Sequence, residues 1–393
     1  MKSKNIISRT VWILSFVSLF TDTASEMLYP VMPLYLRSIG FSILLIGILE
    51  GIAEATAGLS KGYFGKLSDQ TGKRMPFVQL GYALSAISKP LMALFVTPVY
   101  IFFVRTIDRL GKGLRTGARD AVLSDEATPA TKGKIFGFHR SMDTLGAVIG
   151  PLAALFYLQF HPHKYKTLFV IALLPGILAV LCSFLLKDKS RIPRPVAARV
   201  SFFSFLDYWK KSPALYRKLV LGLLVFTLFN SSDVFLLLKV KQAGISDSEV
   251  ITIYIFYNLI YAMFAFPTGI WADKAGLKKI FIYGLLIFAI VYFGMAAAAN
   301  KYLFYGIFFL YGIYGAATEG ISKAWISNLT DKKDTATAIG TYSGFQSICT
   351  MLASSVAGLI WYQYGAAAAF VLSGVAALLV VFYLSFIPFK TYD

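Results

Sequence analysis

Long apolar stretches constrain this chain more than any other feature. From Val11 to Leu36, and again along most of the chain, apolar residues run on without the alternation of a half-buried strand. A helix needs roughly 20 apolar residues to cross a bilayer, whereas a membrane β-strand alternates and needs only about 10. Only 15% of the residues are charged, well below the usual share in soluble proteins. We therefore expect an all-α integral membrane protein.

Apolar runs, separated by segments rich in helix-breaking and charged residues, predict twelve spans in two sets of six. The first set lies near 10–36, 43–64, 75–97, 98–120, 134–159 and 167–186, and the second near 217–239, 249–271, 277–298, 302–327, 335–361 and 367–387. This pattern predicts an N-terminal six-helix bundle over 1–187, a linker over 188–216 and a C-terminal six-helix bundle over 217–393. The linker ends in an amphipathic FFSFLDYWKK stretch, which we expect to lie on the membrane surface.

The net charge of +18 is concentrated on alternate loops between the predicted spans. An excess of Lys and Arg on alternate loops marks the cytoplasmic side of a membrane protein. We therefore expect both termini in the cytoplasm and the chain in a cell membrane, such as a bacterial inner membrane. Membrane topology explains basic loops of this kind better than nucleic-acid binding does, so no nucleic-acid partner is expected.

The two halves of the chain repeat one loop. GKLSDQTGKRMPF (Gly65–Phe77) follows the second predicted span, and GIWADKAGLKKIF (Gly269–Phe281) follows the eighth. Both read glycine, three residues, aspartate, two residues, glycine, then basic residues. KIFGFHRSMDT at the fifth span and TAIGTYSGFQS at the eleventh also share a glycine–aromatic core. A repeated loop in two halves of six spans indicates internal duplication.

These motifs resemble those of the major facilitator superfamily. The duplicated loop resembles its G-x-L-x-D-x-x-G-x-[RK]-[RK] signature, and Arg105 with Gly111 resembles its arginine-and-glycine motif in the fourth helix. GAVIGP (Gly146–Pro151) resembles the fifth-helix motif of the drug:proton antiporter branch, although Leu-Ala-Ala replaces the glycine pair that follows in that branch. The resemblance implies twelve transmembrane helices in two pseudo-symmetric six-helix bundles. We expect a monomer with no cofactor and no metal.

The duplicated loops supply the predicted gating residues. Glycines permit a tight turn and close packing of two helix ends, and an acid on a basic face calls for a cationic or helix-N-terminal partner. By resemblance, Asp69 would contact the start of the eleventh span and Arg115 or Arg119, while Asp273 would contact the start of the fifth. The alternative is an anchor for loop orientation without a gating role. The predicted gating residues are Gly65, Asp69, Gly72, Lys73, Arg74, Arg115, Arg119, Gly269, Asp273, Gly276, Lys278 and Lys279.

Charged residues inside the predicted spans indicate a polar pathway. A charge at the bilayer centre costs roughly 2.5–3.5 kcal/mol on insertion scales, so such residues usually face a cavity. Asp22 and Glu26 are four positions apart and share a helix face, and the fourth span carries a continuous charged stripe. We predict Asp22 and Glu26 as the first candidates for proton coupling, followed by Asp108 and Asp143. A permanent structural network of ion pairs is the alternative for each of them.

The second half has fewer charges in its spans and more neutral polar and aromatic groups. We therefore expect the first half to handle proton coupling and the second half to contribute more to holding substrate. The predicted cavity residues are Glu50, Glu54, Arg105, Arg109, Arg140, Asp233, Tyr254, Asn258, Glu319, Lys323, Tyr342 and Gln346.

The sequence favours a secondary transporter that moves a small organic solute by alternating access, with proton-coupled export favoured by the fifth-helix motif. Proton-coupled uptake of an anionic solute is the alternative, because Arg and Lys in spans three to five suit carboxylate or phosphate. A non-transporting membrane sensor or assembly partner is a candidate of another class, but the chain has no large soluble appendage. A membrane-embedded enzyme would need a nucleophile with its base or a metal cluster, and the sequence offers neither.

Overall fold

The computed structural model describes residues 7–29, 31–41, 43–162, 164–188 and 201–388. Within these ranges the chain forms α-helices and three short 3₁₀ turns, and no β-strand. The all-α prediction is confirmed. The helices before the linker are α1 (Arg9–Glu26), α2 (Met32–Ser38), α3 (Ile43–Thr71), α4 (Met75–Leu91), α5 (Pro98–Asp125), α6 (Lys132–Phe160), α7 (Tyr165–Ile171) and α8 (Leu173–Ser183).

The remaining helices begin in the linker, where α9 (Asp207–Lys211) is short. They continue with α10 (Ala214–Phe229), α11 (Asp233–Gln242), α12 (Asp247–Ala275), α13 (Leu277–Ala297), α14 (Lys301–Asn328), α15 (Thr335–Tyr364) and α16 (Ala366–Ser385). Among the described residues, seven helical segments are long and apolar enough to cross a membrane. Helix α5 is not among them, and it is the helix with the charged stripe. The count of twelve spans therefore stays a prediction.

Local sequence fixes where the helices begin and end. The Ser8 hydroxyl accepts a hydrogen bond from the Val11 amide at the start of α1, and the Asn300 side chain accepts one from the Tyr302 amide at the start of α14. Such N-caps satisfy amides that have no partner within the helix. Gly276 lies between α12 and α13 with φ of +99°. This is a left-handed conformation that glycine adopts without a steric penalty.

The helix in the position of the predicted seventh span is broken. Helix α10 ends at Phe229 and α11 begins at Asp233. The Asn230 amide donates to the Tyr314 hydroxyl at 3.0 Å, and its carbonyl oxygen accepts from the Tyr292 hydroxyl at 3.3 Å. These contacts satisfy the polar side chain at the break, and the break places Asp233 at the first position of a new helix.

The chain divides into two compact units. The first contains Met1–Glu126, Met142–Lys211 and Asp331–Ser347, and the second contains Ala127–Ser141, Ser212–Thr330 and Ile348–Asp393. The first unit thus includes the start of α15, and the second includes the start of α6. The predicted bundle boundaries, 1–187 and 217–393, are simpler than this division and stay a prediction.

Small residues let the helices of the first unit approach closely. A Cβ atom on Gly113 of α5 would lie 2.4 Å from the Ser60 Cβ atom of α3. A Cβ atom on Gly111 of the same helix would lie 2.7 Å from the Gly81 carbonyl oxygen of α4. Close backbone approach at small residues is the usual way in which membrane helices pack. It holds the charged stripe of α5 against both neighbours.

The end of the linker packs on the first unit. The ring of Phe205 is buried, and a Cβ atom on Gly62 of α3 would lie 2.4 Å from it. The Phe205 carbonyl oxygen accepts a hydrogen bond from the Thr341 hydroxyl of α15 at 3.3 Å. Phe202 and Phe203 are exposed. This part of the linker therefore has one aromatic side chain anchored in the protein, and its place on the membrane surface stays a prediction.

Candidate functional site

A pair of carboxyl groups lies between α1 and α6 in the first unit. Asp22 and Asp143 share a side-chain hydrogen bond, with Glu26 and Lys112 as charged neighbours. The Ser18 hydroxyl, one turn before Asp22, also donates to Asp143. The geometry therefore brings three of the four predicted proton-coupling residues to one place.

The glycines of the GAVIGP motif explain why the carboxyl pair can form. A Cβ atom on Gly146 would lie 2.5 Å from the Leu19 carbonyl oxygen and 3.0 Å from the Asp22 Cβ atom. A Cβ atom on Gly150 would lie 2.6 Å from the backbone of α1, one turn further on. Any larger side chain at these positions would push α6 away from α1. The motif therefore sets the separation of Asp22 and Asp143.

A polar chain leads from the carboxyl pair to α5. The Arg119 guanidinium donates to the Ser18 hydroxyl at 3.3 Å and to the Asp120 carboxylate at 3.0 Å. Asp120 is almost fully buried. Neither Ser18 nor Asp120 was predicted as a site residue. A serine in an apolar span carries no distinctive pattern, but Asp120 lay directly beside a predicted arginine and could have been included.

Asp108 lies in a separate ion cluster between α4 and α5. Its carboxylate is 3.6 Å from the Lys89 Nζ atom and 3.4 Å from the Arg105 guanidinium. The Ser85 and Ser88 hydroxyls also donate to it, at 3.0 and 3.3 Å. Arg109 and Arg115 are further cationic neighbours. These contacts match the alternative of a structural ion-pair network, which ranks Asp108 below Asp22 and Asp143 as a proton-coupling candidate.

A second acidic site lies among tyrosines in the second unit. The Asp233 carboxylate accepts a hydrogen bond from the Tyr311 hydroxyl at 2.7 Å and another from the Tyr257 hydroxyl. Arg140 of α6 pairs with Glu319 of α14 at 2.5 Å. Its Nε atom also donates to the Tyr261 hydroxyl at 2.6 Å. The structure therefore brings the predicted cavity residues Arg140, Asp233 and Glu319 into one neighbourhood.

The other predicted cavity residues have varied positions. The Asn258 amide donates to the Tyr254 carbonyl oxygen of its own helix at 2.9 Å, which is a local structural contact. Lys323 follows Glu319 by one turn of α14 and is half-buried. Tyr342 and Gln346 belong to the first unit, whereas Tyr254 and Asn258 belong to the second. The side chains of Glu50 and Glu54 lie outside the part of the chain that the structure describes.

The two duplicated loops make equivalent contacts. In the first unit, the Asp69 carboxylate accepts from the Thr337 amide at 2.7 Å and from its hydroxyl at 2.8 Å, at the start of α15. In the second unit, the Asp273 carboxylate accepts from the Gly133 and Lys134 amides at 2.7 Å, at the start of α6. A carboxylate suits a helix N-terminus because of the free amides and the helix dipole there. The predicted contacts of both acids with these helix starts are present.

The glycines that begin the loops also correspond. A Cβ atom on Gly65 would lie 2.4 Å from the Ala336 carbonyl oxygen. A Cβ atom on Gly269 would lie 2.3 Å from the Gly133 carbonyl oxygen. In each unit the glycine thus lets the loop helix touch the same helix start that its aspartate binds. Gly72 and Gly276 both have positive φ, at +68° and +99°, and turn the chain into the next helix.

The predicted arginine partner of Asp69 is wrong. The guanidinium at 3.1 Å from Asp69 belongs to Arg74. Arg74 also binds Asp125 at 2.7 Å and the Lys332 carbonyl oxygen at 3.2 Å. The turn at Gly72 brings Arg74 back beside the end of α3, whereas Arg115 and Arg119 lie deeper and bind Ser85 and Asp120.

The remaining basic residues of the loops are not equivalent to one another. Lys278 donates to the Ser385 and Ile387 carbonyl oxygens at 2.9 and 2.8 Å, at the end of α16. Lys73 and Lys279 are exposed. Cations suit a helix C-terminus, where carbonyl oxygens lack helical partners. Lys278 therefore fixes the end of α16, and the geometry assigns no comparable contact to the two exposed lysines.

A family model described as Major Facilitator Superfamily matches residues 14–246 and 235–391. The chain belongs to this superfamily. The MFS-type transporter MJ1317 of Methanocaldococcus jannaschii is 32% identical over 361 residues, which cover 90% of this chain and 89% of that protein. The chain is therefore a major facilitator transporter, a multi-pass membrane protein that carries a small-molecule substrate and is not an enzyme.

More distant relatives include proteins named for drug resistance. The multidrug resistance protein MdtH of Salmonella arizonae is 20% identical over 342 residues, which cover 84% of this chain and 78% of that protein. The quinolone resistance protein NorA of Staphylococcus aureus is 23% identical over 180 residues, which cover 46% of this chain and 45% of that protein.

Solved structures share the fold of this major facilitator protein. The human organic anion transporter MFSD10 superposes with a TM-score of 0.85 at 17% identity, over 96% of this chain and 99% of that one. FucP in its outward conformation superposes with a TM-score of 0.77 at 13% identity, over 98% of this chain and 99% of that one. At these identities the likeness establishes the fold alone.

Proposed function

We propose that this transporter exports a small organic solute in exchange for protons by alternating access. The single observation behind the proposal is the Asp22–Asp143 carboxyl pair, with Glu26 beside it. Burial favours the protonated form of a carboxyl group, and a neighbouring cation favours the ionised form. A conformational change that alters the exposure of the pair would therefore take up a proton on one side and release it on the other.

Exchange rather than uptake is supported by two observations. The GAVIGP motif, which resembles that of proton-coupled drug antiporters, contacts α1 beside the carboxyl pair. MdtH and NorA, relatives over part or most of the chain, carry names that refer to drug resistance. In this proposal the protein acts as a monomer in a cell membrane with both termini in the cytoplasm, in keeping with its basic loops.

The duplicated loops would form the gate on the cytoplasmic side. In each unit one aspartate accepts two hydrogen bonds at the start of a helix from the other half of the sequence. Asp69 accepts from the Thr337 amide and hydroxyl, and Asp273 accepts from the Gly133 and Lys134 amides. Two such charge-assisted hydrogen bonds hold each helix end firmly, at roughly 1.5–3 kcal/mol each. Their rupture would free the starts of α15 and α6 to move when the transporter opens.

The test of proton coupling uses purified protein in vesicles with an imposed pH gradient. Uptake of cationic, anionic and neutral solutes is screened with the wild type, and an active solute is then tested with Asp22→Asn and Asp143→Asn. We expect each substitution to reduce pH-driven transport at least tenfold, because the pair no longer titrates. Exchange of labelled for unlabelled solute without a gradient should persist, because that exchange needs no net proton movement.

Glu249→Gln is the matched control. Glu249 is also an acid, but it lies in the second half and pairs with Lys301 near the starts of α12 and α14, away from the carboxyl pair. Its neutralisation should leave pH-driven transport unchanged. Full pH-driven transport in both Asp22→Asn and Asp143→Asn, with the protein folded, would refute the assignment of the carboxyl pair.

Proton-coupled uptake of an anionic solute is the second candidate. The observation that favours it is the Asp108 cluster, where Lys89, Arg105, Arg109 and Arg115 surround a single acid. Excess positive charge of this kind would suit a carboxylate or phosphate group. Under an inward proton gradient, uptake would accumulate an anionic solute inside the vesicles, whereas exchange would expel it. Accumulation would therefore favour uptake over export.

A further inference from the structure

Asp233 is a half-buried acid in the second half whose direct contacts are with hydroxyl groups. Its hydrogen-bond donors are Tyr311 and Tyr257. Within the described residues, no lysine or arginine forms an ion pair with Asp233, and the nearby Arg140 is already paired with Glu319. By contrast, Asp69 and Asp108 each have a cationic side chain in direct contact. Asp233 lacks that contact.

The surroundings of Asp233 are aromatic. Tyr254, Tyr257 and Tyr261 share one face of α12, and successive ring centroids are 6.2 Å apart. The Tyr311 ring of α14 lies 4.9 Å from that of Tyr257. The faces of aromatic rings carry negative charge and attract cations within about 6 Å. Hydroxyl donation to a carboxylate makes Tyr257 and Tyr311 more electron-rich, which strengthens that attraction.

The site formed by Asp233 and its neighbouring tyrosines is partly exposed. The Glu319 side chain is 52% exposed although it lies well inside α14, and Tyr254 is half-buried. Glu319 bonds to Arg140, which in turn bonds to Tyr261, so its exposed side belongs to the same neighbourhood. A ligand that reaches Glu319 and Tyr254 would therefore meet the tyrosine faces next to Asp233.

We infer that Asp233 and the tyrosines around it bind the positively charged group of an organic cation. This inference rests on the proposed function and names the class of its substrate. The carboxylate supplies the counter-charge, and the rings of Tyr254, Tyr257 and Tyr311 supply a surface that tolerates alkyl or aromatic substituents on the cation. A quaternary ammonium or phosphonium group loses its water more easily than a compact ion does, so such a group suits a half-buried site.

The test compares two probes of the same shape and opposite charge, tetraphenylphosphonium and tetraphenylborate. Binding to purified full-length protein in detergent is measured by equilibrium dialysis at one pH and without any gradient, with protein-free micelles as the blank. We expect the phosphonium to bind at least tenfold more tightly than the borate. Asp233→Asn should weaken phosphonium binding at least tenfold, and Asp233→Glu, which keeps the charge, should restore most of it.

Tyr254→Leu and Tyr254→Phe separate the ring from its hydroxyl. Leucine should weaken phosphonium binding several-fold because it removes an aromatic face, whereas phenylalanine should not. Glu249→Gln, an acid of the same unit outside the tyrosine cluster, is the control and should bind as the wild type does. Equal binding of both probes, tighter binding of the borate, or an unchanged affinity in Asp233→Asn would overturn the inference.

Failure of this inference is distinct from failure of the proposed function. The binding measurement involves no proton gradient, so it tests the site around Asp233 apart from the coupling at the carboxyl pair. Cation binding without any pH-driven transport would sustain the site and reject proton coupling. Proton-driven transport of a solute without cation preference would reject the site and sustain the coupling.

Discussion

Single residues decide the separation of α1 and α6, and Gly146 gives the clearest case. A methyl group at Gly146 would meet backbone atoms of Leu19 and Thr23 at 2.5 and 2.9 Å, and backbone cannot rotate away as a side chain would. We expect Gly146→Ala to lower the free energy of unfolding by about 1–3 kcal/mol, the usual cost of overpacking. It should also reduce pH-driven transport, because Asp22 and Asp143 would move apart. Thermal unfolding in detergent and vesicle transport measure the two effects.

Gly306→Ala is the matched control for Gly146→Ala. Gly306 also lies within a helix, but a Cβ atom there would have no neighbour within 4 Å. Alanine at such a position should stabilise the helix by about 0.5–1 kcal/mol. Equal thermal stability of the two variants would contradict the close contact between α1 and α6.

At the scale of residues, the groups that are costly in a membrane can be recognised in the sequence. Asp22, Asp143 and Asp233 were predicted as site residues because a carboxyl group inside an apolar span is energetically costly and usually has a function. Ser18 was not predicted, because a hydroxyl costs little and many serines in helices bond to their own backbone. The pairing of Asp69 with Arg74 was also missed, since it depends on how the Gly72 turn folds the chain back.

At the scale of elements, the contact between Asp69 in the first duplicated loop and the start of α15 can be tested directly. We expect Asp69→Asn to speed hydrogen exchange at the Thr337 amide about tenfold to a hundredfold, because a hydrogen bond to a charged acceptor contributes roughly 1.5–3 kcal/mol. The same substitution should leave the Gly133 amide unchanged, because that amide binds Asp273. Mass spectrometry of peptides that cover 331–341 and 129–137 measures both regions.

Asp331→Asn is the control for the loop measurement. Asp331 also lies close to the start of α15, but its pair with Lys333 is exposed, and exposed pairs contribute little. Exchange at Thr337 should be the same as in the wild type. If Asp69→Asn also left that exchange unchanged, the carboxylate would not be holding the helix start, and the proposed gate would lose its support.

Sequence patterns predicted elements unevenly. The repeat of glycine, aspartate and glycine identified both loops and the helix starts that they contact, because duplication preserves spacing. The break between α10 and α11 was not predicted, since Asn230 is held by Tyr314 and Tyr292, which are distant in sequence. The linker was predicted to be amphipathic, but periodicity does not reveal that Phe205 is buried between α3 and α15.

At the scale of the whole molecule, apolar length and loop charge predict a topology with the basic loops in the cytoplasm. Exposed lysines are present on both predicted sides of the membrane. Lys73 and Lys333 lie in the basic loops, and Lys164 and Lys241 lie in or next to the other loops. We replace Cys182 and Cys349 by serine and introduce one cysteine at a time at these four positions. In intact cells, a membrane-impermeant maleimide should label Lys164→Cys and Lys241→Cys but neither of the other two.

Permeabilised cells are the control, because all four cysteines are exposed in the fold and should then react equally. The expectation follows from the cost of moving basic residues across the membrane, so it should hold whichever way the solute travels. Labelling of Lys73→Cys or Lys333→Cys in intact cells would invert the topology and place the duplicated loops outside. It would also reverse the side on which the contacts of Asp69 and Asp273 must break.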